Sequence, residues 1–200
     1  DKQIIMAAYR FYSKNRPHTL FQLFFGWGFV SFLCAHFAYA VPVDTKSYDP
    51  ICGVEVKVAG KILVIGWDTP EGAMELALNL SGQGALVRSV AVASGKGKPV
   101  EVIRDINPVT VLTVGQRDLN KRSGWTIFFD RTSRKPSESG LLTLKLKSVI
   151  VRSLGKRCMV DLGELKGKSF SGKLRLTIYA GCDLIHLQSV VQTKLDARAL

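Results

Sequence analysis

The sequence predicts an all-β domain, an antiparallel β-sandwich, behind a helical leader. Three observations predict it. Apolar and polar residues alternate in short runs from Val54 to Thr193. Turn residues, chiefly Gly, Pro, Asn and Asp, separate those runs. Ahead of them, Leu20 to Ala40 (LFQLFFGWGFVSFLCAHFAYA) is apolar and aromatic, follows the basic flank Arg10, Lys14 and Arg16, and closes on Ala38-Tyr39-Ala40. Those are the positive n-region, h-region and small-residue cleavage site of a secretory signal.

On this reading residues 1–40 are a signal peptide, Met6 is the start, and cleavage follows Ala40. The mature protein is then secreted or periplasmic. A membrane-spanning helix needs about 20 predominantly apolar residues. Here Gln22, Ser31 and His36 interrupt the run and Gly26 and Gly28 loosen it, so membrane contact is expected only through an uncleaved leader. Cys34 is no lipid acceptor, since Ser31 stands where that pattern wants Leu.

The 200 residues carry a net charge of +12. Cleavage removes Lys2, Arg10, Lys14, Arg16 and Asp1, and the remainder stays strongly basic. Such a balance suits nucleic acid, an anionic membrane or an acidic polysaccharide. The basic residues fall in turns: Lys96 and Lys98, Lys121 and Arg122, Arg131 with Arg134 and Lys135, Lys166 and Lys168. No basic helix or aromatic–basic signature accompanies them, which argues against nucleic acid. A solvated basic surface is the plain reading; an acidic polysaccharide is the partner an exported protein would meet.

Residues 41–51 form a polar lead-in, and residues 52–200 the sandwich. Val54, Val56 and Val58 alternate with Glu55 and Lys57, and Lys61 to Trp67 returns after Ala59-Gly60 as the second arm of a hairpin. Asp68 to Gly72 is a Pro-Gly turn. Met74, Leu76, Leu78 and Leu80 alternate strictly, which favours strand over the helix that Ala, Met, Glu and Leu prefer locally. Ala85 to Ala93, Val100 to Arg104 and Val109 to Val114 follow, parted by SGKGKP and Asn107-Pro108. Trp125 to Asp130 reads as a buried strand between two charged loops, 116–124 and 131–140. Leu142 to Val151, Cys158 to Leu162, Lys173 to Tyr179 and Leu184 to Thr193 complete about ten strands. The lack of intervening helices argues against a parallel α/β sheet, and with it a dinucleotide fold. The chain stops just beyond a strand, and a longer protein is expected.

Few residues suggest chemistry. Gly163 to Ser169 (GELKGKS) has one residue too few before its Gly-Lys-Ser for a phosphate loop and no helix after it, so it reads as a surface turn. Past the leader the cysteines are Cys52, Cys158 and Cys182, an odd number. Cys158 and Cys182 lie on successive strands and are the preferred disulfide pair. Past the leader a single histidine, His186, and no Cys-x-x-Cys leave no metal site, and no pattern asks for a cofactor. No Ser or Cys has a recognisable partner for nucleophilic catalysis. Trp67 and Trp125, each at a strand end, could stack on a sugar ring or pack in the core. His186 shares a strand face with Gln188 and Gln192 while Ile185, Leu187 and Val191 face away, which gives either a ligand groove or a solvated face. Asn79-Leu80-Ser81 is formally a glycosylation acceptor.

Two stretches carry a resemblance. Gly172 to Thr193 (GKLRLTIYAGCDLIHLQSVVQT), a strand ending in Tyr179, a Gly turn and a long strand, is similar to the sugar-facing sheets of galactose-mutarotase-like sandwiches. Ile65 to Val92 resembles N-terminal regions of large exported bacterial proteins. The resemblance implies a supersandwich-like domain of an exported polysaccharide lyase or glycoside hydrolase, with any chemistry on other segments; Trp67, Trp125, Tyr179, His186 and Gln188 are the residues of this chain expected to contribute glycan binding. The alternative is a non-catalytic envelope or adhesion module that contacts protein.

Overall fold

The computed structural model describes residues 4–6, 41–95, 97–116, 137–196 and 198–199. The described residues form thirteen strands and one short 3-10 turn, with no α-helix among them. In order the strands are β1 (Ile4–Met6), β2 (Val43–Ser47), β3 (Val54–Ala59), β4 (Ile62–Thr69), β5 (Gly72–Asn79), β6 (Val87–Ser94), β7 (Val100–Ile106), β8 (Thr110–Gln116), β9 (Ser137–Ser153), β10 (Arg157–Gly167), β11 (Phe170–Tyr179), β12 (Ile185–Gln192) and β13 (Arg198–Ala199).

Two sheets result. The smaller is a five-stranded meander, β3-β4-β5-β6-β7, antiparallel throughout. The larger runs β1-β12-β11-β10-β9-β8-β13, and β2 joins it in parallel beside the far end of β9. The layout is sandwich-like, as the alternation and the lack of crossover helices require.

The hairpins follow from local chemistry. Gly60, at φ 60°, turns β3 into β4, and Pro70-Glu71 turn β4 into β5. Lys168 and Ser169 join β10 to β11 with φ 48° and 69°. Two positive φ values at the centre of a two-residue loop match the right-handed strand twist, although neither residue is the Gly or Asn such a turn favours.

The inner faces of both sheets meet in one core. Leu63, Ile65, Leu76, Leu78 and Val90 come from the smaller sheet; Val149, Val151, Val160, Leu162, Leu174, Leu176 and Ile178 come from the larger. Burying each such side chain stabilises the fold by about 1.5–3 kcal/mol. Polar ties fix the sheets in register at one end. The Trp67 indole Nε1 donates to the Cys182 carbonyl at 2.7 Å, and Gly181 N donates to the Asp68 carbonyl at 3.0 Å.

The alternating strands β3 to β8, β11 and β12 lie where the sequence predicts them. Others differ. The lead-in contains β2, whose Val43 pairs with Val149. β9 starts inside the expected polar loop, at Ser137, and reaches back to pair with β8. β10 does not stop at Leu162: most of Gly163 to Ser169, expected as a turn, is strand, and only Lys168-Ser169 turn the chain. A bulge at Gly163 makes that extension fit. Its φ is 50°, and a Cβ there would sit 2.3 Å from the Lys145 carbonyl oxygen. The expected strand Trp125 to Asp130, and the leader apart from Ile4–Met6, lie outside the described residues.

β11 and β12 approach so closely that Gly172 has no room for a side chain: a Cβ there would lie 1.9 Å from the Val190 carbonyl oxygen. Gly172→Ala should therefore lower the unfolding free energy by about 1–3 kcal/mol, read as an earlier urea midpoint. Gly60→Ala, with nothing within 4 Å of the added carbon, should cost only the strain of its positive φ.

Candidate functional site

Strand pairing places the chemistry-bearing residues in rows on the outer face of the larger sheet. Asp161 on β10 stands opposite Arg175 on β11, which stands opposite Gln188 on β12. The next row joins Arg152, Met159, Thr177 and His186, and the one beyond it pairs Arg157 with Tyr179. The core residues Val160, Leu162, Leu174, Leu176 and Ile178 take the intervening positions, so successive side chains on each strand divide between the core and the outer face.

At the centre Asp161 is 3% exposed and holds three cations. Arg175 Nε reaches its Oδ1 at 2.6 Å and Arg175 Nη2 its Oδ2 at 3.1 Å. Arg152 Nη2 and Lys173 Nζ reach Oδ2 at 2.8 and 2.7 Å. Burial alone would raise the Asp161 carboxyl, but the Arg175 and Lys173 hydrogen bonds and charges outweigh it and hold it below the usual carboxylate range. One carboxylate thus neutralises one of three cations. The surplus is positive, and Arg152 Nε is a buried donor with no partner among the described residues.

The same face continues past the bulge. Glu164 bonds Lys147 and Lys166 at 2.8 and 2.6 Å, which holds its carboxyl down to about 2, and Lys145 lies directly across from it. Lys145, Lys147 and Lys166 are exposed, and here too cations outnumber acids. From Lys145 to Arg152 the positive track spans roughly 20 Å of strand.

Of the residues expected to bind sugar, Tyr179, His186 and Gln188 come together on this face. Tyr179 is 40% exposed and His186 is exposed, whereas Gln188 is buried. Trp67 is elsewhere: it is 4% exposed, its ring lies in the core and its N–H is spent on Cys182. That corrects its sugar-stacking role, because a buried indole offers no free face. Trp125 lies outside the described residues. The expected Cys158–Cys182 disulfide is also corrected: all three described cysteines are free thiols. Cys158 faces the core across from Ile178, four residues before Cys182, while Cys182 sits in the turn beyond Tyr179. Asn79 Nδ2 donates to the Gln83 carbonyl at 2.6 Å and closes a local turn.

The convergence of Arg152, Lys173 and Arg175 was not among the expectations from sequence. Its signal was the spacing Lys145/Lys147 and Lys173/Arg175, basic residues two apart on strands, which puts each pair on one face. A second concavity, a groove of about 370 Å³ on the outer face of the smaller sheet, is lined by Glu55, Asp68, Glu75 and small residues including Gly66, Ala73 and Ala91. It is acidic where the larger sheet is basic. No family model, curated protein or solved structure matches the chain.

Asp161→Asn should destabilise the fold by roughly 3 kcal/mol, the low end for a broken buried pair, because Arg152 and Lys173 each keep 35% of their side-chain surface exposed. The sign with pH follows from the depressed folded pKa. The stabilisation is complete above the unfolded value, about pH 4, and disappears as pH falls through the folded one. Urea midpoints measured from pH 7 to pH 2 should fall more steeply at the acid end for the native chain than for the variant.

Proposed function

We propose that the chain is a glycan-binding β-sandwich module of an exported carbohydrate-active protein, and that it takes acidic polysaccharide on the outer face of the larger sheet. The observation that supports this reading best is the three-to-one crowding of Arg152, Lys173 and Arg175 around Asp161. That face also carries Tyr179 and His186. An aromatic ring on the same face as fixed cations suits a polymer with sugar faces and regularly spaced carboxylates or sulfates. The extension along Lys145, Lys147 and Lys166 suits an extended chain better than a small molecule. The β11–β12 hairpin, with Tyr179 before its Gly turn, is the segment through which the galactose-mutarotase-like resemblance enters, and a supersandwich of that kind is the finer fold we assign. Any lyase or hydrolase chemistry would come from other segments of a longer protein.

The test is retention on immobilised polygalacturonate and heparin against a neutral glucan, in a salt series. Binding to the acidic polymers should weaken steeply with salt, as screening requires. The variant Lys145→Glu/Lys147→Glu/Lys166→Glu, all surface positions, should reduce it at least tenfold while keeping the native circular dichroism. Equal retention on the neutral glucan, or a folded triple variant that binds as before, would reject the reading.

A further inference from the structure

We propose that Cys52 and Cys158 are a dithiol pair that closes to a disulfide under oxidising conditions and joins the two sheets covalently. Three contacts bring them together. Ser153 stands directly across from Cys158 in the β9–β10 pair, so both side chains point into the core. Ser153 Oγ in turn grips Asp49 twice, accepting from its N at 3.0 Å and donating to its carbonyl at 2.9 Å. Asp49 caps the one-turn helix Pro50–Cys52, and Cys52 N closes that turn by donating to the Asp49 carbonyl at 3.2 Å. Cys52 is therefore one turn from a residue clamped over Cys158.

A contact on the other side confirms the placement. A Cβ added to Gly53 would lie 2.8 Å from the Ala180 Cβ, and Ala180 N donates to the Lys156 carbonyl two residues before Cys158. Both thiols belong to the same core cluster, at 3% and 0% exposure. Burial, followed by the neighbouring Cys52, pushes the Cys158 thiol up to about 12. That leaves Cys158 slow to react, so exchange would proceed through opening of the short turn that carries Cys52, next to the exposed Ile51.

Oxidised glutathione supplies the missing electrons' destination. One cysteine thiolate attacks a glutathione sulfur and releases one glutathione thiolate. The second cysteine thiolate then attacks the mixed disulfide and releases the other. Two thiol protons and two electrons leave the protein, one S–S bond forms in it, and one breaks in the reagent. The new bond would enclose the whole smaller sheet in its loop.

The full chain is incubated with oxidised glutathione, quenched with N-ethylmaleimide under denaturing conditions, and digested for non-reducing mass spectrometry. The expected product links the Cys52 and Cys158 peptides, with Cys182 outside the bond. Its Tm should exceed that of the reduced chain by roughly 10 °C, a difference retained in Cys182→Ser and lost in Cys52→Ser. A bond that includes Cys182, or Cys52 and Cys158 both recovered alkylated while Cys182 is glutathionylated, would overturn the proposal. This inference is independent of glycan binding: a crosslinked chain that ignores acidic polymers leaves it standing.

Discussion

Three cationic side chains on neighbouring strands repel one another, and the larger sheet can carry them only because Asp161 sits among them. Arg152, Lys173 and Arg175 arrive from β9 and β11, with β10 between. Strands in a sheet lie about 4.8 Å apart, so the three side chains rise from one small patch of the sheet. The carboxylate bonds all three within 3.1 Å. It holds the strands' outer face together and leaves it positive. The same group thus sets both the stability and the net positive charge of this face, with a single acid at its centre rather than a matched set of ion pairs.

Alternation made much of the fold legible. In β12 it separated His186 and Gln188 from Ile185, Leu187 and Val191, and the pairing with β11 puts the two groups on opposite faces. Period-two patterns fail where a strand breaks its own period. β10 changes face at the Gly163 bulge, and β9 does the same between Lys145 and Val149, so the long pairing of these strands was hidden. The Lys168-Ser169 turn was hidden for another reason: neither residue signals a positive φ, and the closing of β10 on β11 imposes it.

The candidate site was legible only in part. Basic residues that look scattered along the chain become a cluster once register sets β9, β10 and β11 side by side, and no local signal encodes register. Trp67 illustrates the reverse failure. A tryptophan at a strand end beside Asp68 suits either a sugar or a core, and only the approach of the β11–β12 turn, which accepts its N–H, decides for the core. The cysteines follow the same logic: proximity in sequence order favoured Cys182 as the partner of Cys158, whereas the clamp between Ser153 and Asp49 brings Cys52 instead.

Strand β9 has its hydrogen-bonding edges occupied by β10 on one side and by β8 and then β2 on the other. At the outermost positions of the larger sheet, the described strands β1 and β13 are three and two residues long, too short to template another chain. The smaller sheet ends differently. Its two edge strands, β3 and β7, run six and seven residues, with Val58, Val100 and Val102 in solvent. Among the described residues, a peptide that pairs with β3 or β7 would extend the layer opposite the basic face, and self-assembly by the same route would join smaller sheets and leave the cationic surfaces pointing outward.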